Sequence, residues 1–475
     1  MDAMSSPEPF GVTVTSGASD WQILSRDRSG FARVQLGGRA RPGRISAEPP
    51  FSFDDCEPEN LEVSARVVAE RDGGLVVGWT TAELRPDGGW VVELTIPEGG
   101  PYRIETQLTQ SGGDGLVFTR GDVVHHVGVG DVYLVLGQSN AAGRARDQVE
   151  DGPSLGVHQF HADGRWRLAT HPLNDGTRSA FTGHLENHNT GHSPALRFAK
   201  RIQAAAGVPV GLVVAAFGGA PLRWWVDGDA LAPLSRNALE MLAASGARPR
   251  GVLWYQGEAD CYEASADDYA DRFGVLAQLL RDAVADPDLP FYTAQLARCT
   301  QDPGEHLDRA WGVLREQQRQ AAHRVARVYV LPTGDLPLYD SIHLSSAANL
   351  VIAERLADAA LAEDYGLVRH WRAPEPVSVR RTGETTIAVT FAPVMNWIND
   401  FELPARRCPF DVEDAAGTCE VTGWRVDGAD IELDLARSPG EGAVLHGMWR
   451  MDHGGIVPAD CTRMPFLSFY GVPVA

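Results

Sequence analysis

Residues 131–140, DVYLVLGQSN, decide how this chain is read: the strand-like run Asp131 to Leu136 breaks at Gly137 and delivers Gln138, Ser139 and Asn140. A short apolar run closed by turn residues is the pattern of a strand buried on both faces. Three further segments repeat it. Pro209 to Ala216 (PVGLVVAA) runs into Phe217, Gly218 and Gly219, and Gly251 to Tyr255 (GVLWY) runs into Gln256, Gly257 and Glu258. The apolar run Arg327 to Leu331 is followed by Asp340, Ser341, Ile342 and His343. In an open parallel sheet such loops share the carboxyl edge, where ligands bind. A serine, a histidine, a carboxylate and several hydrogen-bond donors are thereby offered to one crevice.

Outward from these strands the chain alternates with helices. Ser193 has the character of an N-cap, Pro194 of a first helical residue and Gly207 of a stop. Ala195, Phe198, Ala199 and Ile202 between them fall on one helical face. Further helices are expected over about 229–244, 265–284, 308–323 and 345–361, interleaved with strands near 131, 209, 251, 290 and 327. Five such units predict an α/β fold, a five-stranded parallel sheet with helices on both faces.

Either side of this region the period is that of strands. Gly11–Thr15, Ala32–Leu36, Leu61–Ala69, Gly74–Trp79, Trp90–Thr95 and Tyr102–Leu108 are separated by turn signals such as Asp72-Gly73-Gly74 and Glu98-Gly99-Gly100, and predict one β-sandwich or two small ones. After Pro374 and Pro376 come Thr386–Phe391, Glu420–Val426, Ile431–Leu435 and Val444–Met448. The expected division is an N-terminal β region (1–128), a catalytic α/β domain (129–368) and a C-terminal β-rich domain (369–475).

Of 475 residues, 44% are hydrophobic and 22% charged, the balance of an ordinary globular protein. A net charge of -21 argues against nucleic acid or an anionic membrane as partner and suits a neutral small molecule or glycan. Met1 to Pro9 is polar and acidic and no apolar leader core follows, which predicts a cytoplasmic chain, or a secreted one if a leader has been trimmed. The six cysteines (56, 261, 299, 408, 419, 461) lack metal-ligand spacing and read as reduced thiols, a Cys408–Cys419 disulfide being the lesser alternative.

A serine hydroxyl needs a neighbouring base to become a nucleophile, and histidine is the usual one. Ser139 and His343 are the candidates. Asp340, three residues before His343, can reach the far ring nitrogen and stabilise the imidazolium. An oxyanion requires donors held in place beforehand, and the N–H of Ser139, an N–H of Gly218-Gly219 and the side-chain amide of Gln256 are expected to supply them. Singly these residues have plainer readings: Ser139 as a helix cap, Asp340 and Ser345 as caps of the next helix, Gly218-Gly219 as a turn. Their order, each at a strand's end, favours catalysis.

These motifs resemble the sialate O-acetylesterase-like branch of the SGNH hydrolase superfamily. The carrying segments are GQSN at 137–140, FGGAPLRWW at 217–225, WYQGE at 254–258 and DSIH at 340–343, with further likeness at 86–105 and in WGVLREQQRQA at 311–321. The resemblance spans about 85–360. It implies a three-layer αβα hydrolase domain, no cofactor, and removal of acetyl groups from the hydroxyls of an oligosaccharide or polysaccharide. It places Ser139, Asp340 and His343 at the nucleophile, acid and base positions, and Gln256 on the segment that supplies the third oxyanion donor. Ala141 stands where the branch often has Met, and Leu344 where Pro is frequent; both bear on pocket shape.

Arg223, Trp224, Trp225, Tyr255, Tyr262 and His192 are expected to bind substrate, aromatic faces being suited to sugar rings. Gln138, Asn140 and Glu258 are read as supports, Glu258 holding Gln256 or the Ser139 loop by hydrogen bonds in preference to acting as a second acid. His184, His188 and His192 recur every four residues, but Gly183, Asn189 and Gly191 break the helix that would align them on a metal, so a polar loop near the cleft is expected and no metal. Rival functions are an SGNH lipase or thioesterase and a carbohydrate-binding protein without catalysis.

Overall fold

The computed structural model describes residues 10–475 apart from 46–52, 56–59, 113–114, 187–190, 228–231, 264, 302–303, 399–407 and 455–456. At its centre is a mixed α/β unit whose strands run, in spatial order, Val157–Phe160, Val210–Val214, Gly115–Gly137, Pro249–Tyr255, Phe291–Ala294 and Val328–Leu331, all parallel. Trp166–Leu168 adds an antiparallel edge to the first of them. The five expected strands are thus present, with two more that the sequence reading did not foresee. The missed strand Val157–Phe160 carries His158 and Gln159 in its middle, both buried and bonded to the carbonyls of Trp21 and Leu173. Those polar residues break the apolar run by which its neighbours were recognised.

Gly115–Gly137 has Val210–Val214 on one side and Pro249–Tyr255 on the other, so the chain goes on from it to both sides of the sheet, the switch point where an open sheet leaves a crevice at its carboxyl edge. Ser139 follows it directly. The same strand pairs antiparallel with Gly99–Gly112 along its first half, so the border expected near residue 128 falls inside one continuous strand. The crossing is close: a Cβ at Gly130 would lie 1.9 Å from the Pro209 carbonyl oxygen.

The helices are α1 (Ser139–Ala142), α2 (Pro194–Ala206), α3 (Arg223–Val226), α4 (Pro233–Ser245), α5 (Glu258–Tyr262), α6 (Tyr269–Val284), α7 (Gly304–Arg324) and α8 (Ser346–Glu363). The capping expected of α2 is present: the Ser193 hydroxyl accepts from the Ala195 N–H at 3.3 Å, and Gly207 ends the helix with φ 72°. α2 packs on α8, and α6 on α7. The short helices α1, α3 and α5 each follow a strand of the carboxyl edge and were not foreseen. Among the described residues no helix is long and apolar enough to cross a membrane.

Antiparallel sheets precede and follow this unit. The N-terminal strands enclose one shared core that includes Val34, Leu36, Val63, Trp90 and Ile104. Two four-stranded sheets at the C-terminus share another, around Phe391, Phe410, Phe466 and Phe469. The C-terminal part is fastened to the centre through Arg315 of α7, fully buried, which donates to the carbonyls of Leu296, Ala297, Met448, Trp449 and Arg450. Burial lowers its guanidinium to about 10. Cys261, Cys299, Cys408, Cys419 and Cys461 are free thiols, so Cys408 and Cys419 are not joined; Cys56 lies outside the described residues.

Candidate active site

Gly137 must be glycine for the chain to turn here: its φ is 125°, and a Cβ would sit 2.1 Å from the Tyr255 carbonyl oxygen. The turn lifts Ser139 to the first position of α1. The residues after Val328–Leu331 come from a strand three places away across the sheet and have to return to reach it. They do so as a closed loop, with a bridge between Leu338 and Leu344 and the Tyr339 N–H bonded to the His343 carbonyl at 2.7 Å. The loop is pinned to the Ser139 turn by the Leu344 N–H on Asn140 Oδ1 (3.0 Å) and the Ser346 N–H on Asp147 (2.9 Å).

His343 Nε2 then lies 3.0 Å from Ser139 Oγ, and Nδ1 lies 2.7 Å from Asp340 Oδ2. The other Asp340 oxygen accepts from the N–H groups of Ile342 and His343 at 2.9 and 2.8 Å. Burial tends to raise this carboxyl, but the bonds from the His343 ring and the two amides outweigh it and hold Asp340 below its ordinary value. An ionised carboxylate only accepts, so the Nδ1 proton faces Asp340 and the Nε2 lone pair faces the serine. Ser345, not Asp340, caps α8, its hydroxyl accepting from the Ala348 N–H at 3.1 Å.

The three residues line a cleft of about 790 Å³ together with Gln138, Arg144, Arg146, Gly219, Glu258, Tyr262, Glu263, Tyr339 and Ile342. Its wall is knitted tightly. Gln138 Oε1 accepts from Gln256 Nε2 and from the N–H groups of Gly257 and Ala259, each at 3.3 Å. Glu258 is 2% exposed, and burial, against the bond from Asn140, pushes its carboxyl up to about 7.

Several expected roles do not fit these positions. Gln256 is 0% exposed and absent from the cleft lining; its amide nitrogen faces Asp260 Oδ2 (2.6 Å), the Ala220 carbonyl (3.1 Å) and Gln138. It braces the wall. Of the glycine pair, Gly218 gives its N–H to both oxygens of Glu186, at 3.1 and 3.0 Å, which leaves Gly219 facing the cleft. Trp225 is buried edge-on against Trp254, and Tyr255 is covered because it ends a central strand. Arg223 pairs with Glu263 at the surface, beside the half-exposed Trp224. Of the six substrate-binding expectations only Tyr262 lines the cleft, its hydroxyl on Gln301 at 2.7 Å.

His192 is also placed elsewhere. It meets His171, and both present Nε2 to Asp151 Oδ2, at 3.2 and 3.1 Å. These ligand-type atoms all lie within 4.8 Å of one another. Lys200 is 2.9 Å from the other Asp151 oxygen, and the Ser193 N–H points to His171 Nδ1 at 3.4 Å, an arrangement that puts the His171 proton on Nε2, where a metal would need a lone pair. The cluster is a hydrogen-bonded network. His184 bonds instead to Asn174 at 2.8 Å, and burial lowers it to about 4; His188 lies outside the described residues. The reading from sequence missed Arg144, Arg146, Glu263 and Tyr339. Proximity was the available signal: Tyr339 precedes Asp340, and the two arginines follow Ser139 within seven residues.

Residues 129–362 match the family model described as carbohydrate esterase, sialic acid-specific acetylesterase. Over 248 residues the chain is 27% identical to a probable carbohydrate esterase of Arabidopsis thaliana, an alignment covering 49% of this chain and 90% of that protein. A solved structure, a carbohydrate acetylesterase from Xanthomonas citri, superposes with a TM-score of 0.64 at 20% identity, over 96% of this chain and 99% of that one, a likeness of fold. The match to the carbohydrate esterase, sialic acid-specific acetylesterase family thus spans residues 129–362, just under half of the chain.

Proposed function

We propose that this protein is a serine esterase that removes O-acetyl groups from an acetylated oligosaccharide or polysaccharide through an acetyl-Ser139 intermediate. The observation that carries the reading is the run Ser139 Oγ, His343 Nε2, His343 Nδ1, Asp340 Oδ2, with contacts of 3.0 and 2.7 Å, opening on the cleft. His343 takes the serine proton as Oγ attacks the ester carbonyl. The oxyanion accepts from the N–H groups of Ser139 and Gly219, with Gly218 and Gln256 supporting the wall. The imidazolium, stabilised by Asp340, passes its proton to the departing sugar hydroxyl. Water, deprotonated by His343, then attacks the acetyl-serine and releases acetate.

The walls favour a short acyl group on a bulky polar alcohol over a lipase or thioesterase substrate. Arg144, Arg146, Glu263, Tyr262 and Tyr339 present polar and aromatic groups around Ser139, not a deep apolar channel. On this reading the middle unit, 129–368, is an SGNH-type three-layer αβα hydrolase and 1–128 and 369–475 flank it; three hydrophobic cores support the division, the central one also taking in Ile23 from before it and Trp371, Met451, Met464 and Leu467 from after it. The test is hydrolysis of 4-nitrophenyl acetate and of acetylated xylan, pectin and sialic acid by the wild type and by Ser139→Ala. The variant should lose about 10⁴-fold or more in kcat on every substrate that the wild type cleaves. Equal rates would remove the nucleophile, and no hydrolysis by either protein would favour a binding role.

A further inference from the structure

Asn140 follows the serine, and its side chain straddles His343. Oδ1 accepts from the Leu344 N–H at 3.0 Å, and Nδ2 reaches the Ile342 carbonyl at 3.4 Å, so the peptide groups before and after the imidazole-bearing residue close on one amide. Turned half a revolution, that amide would set its N–H₂ against the Leu344 N–H and lose both contacts. Glu258 fixes the orientation. Its Oε1 accepts from Asn140 Nδ2 at 2.6 Å, a place that the amide oxygen could not take against a second acceptor oxygen.

Glu258 occupies the first position of α5, after the strand beside the one that carries Ser139. It is 2% exposed, and among the described residues its Oε2 has no hydrogen-bond partner and no cation pairs with it. Burying a carboxyl on so few bonds weakens a fold, so packing gives no reason for an acid here. Its contact with Asn140 does.

We propose that Glu258 is a positioning residue: through Asn140 it holds the His343 loop against the Ser139 turn, keeping Nε2 within reach of the serine hydroxyl. The proposal rests on the Ser139–His343 reading above. Misplacing reacting groups by about 1 Å can lower a rate about 100-fold, so the effect belongs in kcat.

The full-length wild type, Ser139→Ala, Glu258→Leu, Glu258→Gln, Asn140→Asp and the double variant Asn140→Asp/Glu258→Gln are compared on 4-nitrophenyl acetate, with folding followed by thermal unfolding. If Ser139→Ala is as fast as wild type, both readings fall; if it is inactive, the other variants judge Glu258 alone. Glu258→Leu should lower kcat about 10- to 100-fold and leave KM within about threefold. Glu258→Gln keeps an acceptor for Asn140 and should recover kcat to within about threefold of wild type. Asn140→Asp sets two carboxylates face to face and should lower kcat by a similar factor, and adding Glu258→Gln, which supplies a donor, should restore about tenfold. This last pair decides the matter should Glu258→Leu not fold. The proposal is overturned by a Glu258→Leu enzyme with wild-type kcat, by a loss carried in KM, by Glu258→Gln as slow as Glu258→Leu, or by no recovery in the double variant.

Discussion

Two clusters of aspartate and histidine stand in the same α/β unit, and they differ in what the imidazoles are left to face. In the cleft, Asp340 takes Nδ1 of His343, and Nε2 is free to meet the Ser139 hydroxyl. In the other cluster, His171 and His192 both turn Nε2 to one oxygen of Asp151, whose second oxygen holds Lys200. Asp340 has 42% of its side chain exposed, Asp151 only 1%. The same residue types thus build a hydrogen-bonded run that ends on a serine hydroxyl in one place and a closed network in the other. A second ring nitrogen directed at a hydroxyl beside open space makes the difference.

The comparison breaks most readily at the histidines. His343→Ala should lower kcat/KM on 4-nitrophenyl acetate about 10⁴-fold, with Ser139→Ala/His343→Ala scarcely worse, because the members of a relay act as a unit. His171→Ala should keep kcat within about threefold of wild type in the folded protein. A His171 variant as inactive as the His343 variant would show that the buried network takes part in the chemistry.

The two aspartates give the next largest contrast. Asp340→Asn should lower kcat about 10² to 10⁴-fold with little change in thermal unfolding, since an amide favours the wrong tautomer of His343 without emptying any packed space. Asp151→Asn should do the reverse. Its loss leaves Lys200 without its carboxylate, and because that lysine keeps some contact with water the cost is about 2 kcal/mol, between an exposed and a fully buried pair. Denaturant unfolding and steady-state rates of both variants separate the two outcomes. An Asp340→Asn enzyme of wild-type kcat would show that the hydrogen bond to His343 Nδ1 is dispensable.

How much of this was legible in the sequence follows from the same contrast. Ser139, Gly219 and Glu258 were readable because each stands just past an apolar run, His343 because it follows the last such run, twelve residues on, and Asp340 because a three-residue spacing closes a tight loop on His343. Asp151, His171 and His192 lie on three segments with no period between them, and the chain meets itself there through tertiary contacts such as the Ala145–His192 bridge and the bond from Asn349 to the His192 carbonyl. The every-fourth-residue spacing of His184, His188 and His192 was a coincidence of loop sequence, since His184 and His192 bond in different places. Gln256 was read as a donor to the cleft because it follows a strand. Asp260, four residues on, draws its amide inward, a tertiary contact that spacing alone does not reveal.

Glu258 sharpens the contrast from a third side, being as buried as Asp151 but without a cation among the described residues. Its carboxyl titrates at about 7 in the folded protein against an ordinary value of 4.5. Between those two values the folded chain holds a proton that the unfolded chain has lost, so stability falls as pH rises through this window, by about 3 kcal/mol once above 7. Glu258→Gln cannot ionise and should be spared that loss. Its unfolding free energy should therefore gain on wild type from pH 5 to pH 8 and show no such gain below pH 4.5; parallel curves would mean that the carboxyl does not titrate where its burial puts it.

The smallest effect concerns the cleft's own wall, which the buried network lacks. Tyr339 is 42% exposed and Tyr262 46%, and both line the space around Ser139. An exposed ring beside a polar cleft is placed to stack on a sugar and can do little for an acyl group as small as acetyl. Tyr339→Ala should therefore raise KM about three- to tenfold on an acetylated oligosaccharide, as expected for about 1 kcal/mol of lost ring contact, and leave kcat and the rate on 4-nitrophenyl acetate near wild type. If both substrates suffer alike, Tyr339 serves the Asp340 loop that it adjoins, and the sugar must find its surface elsewhere along the cleft.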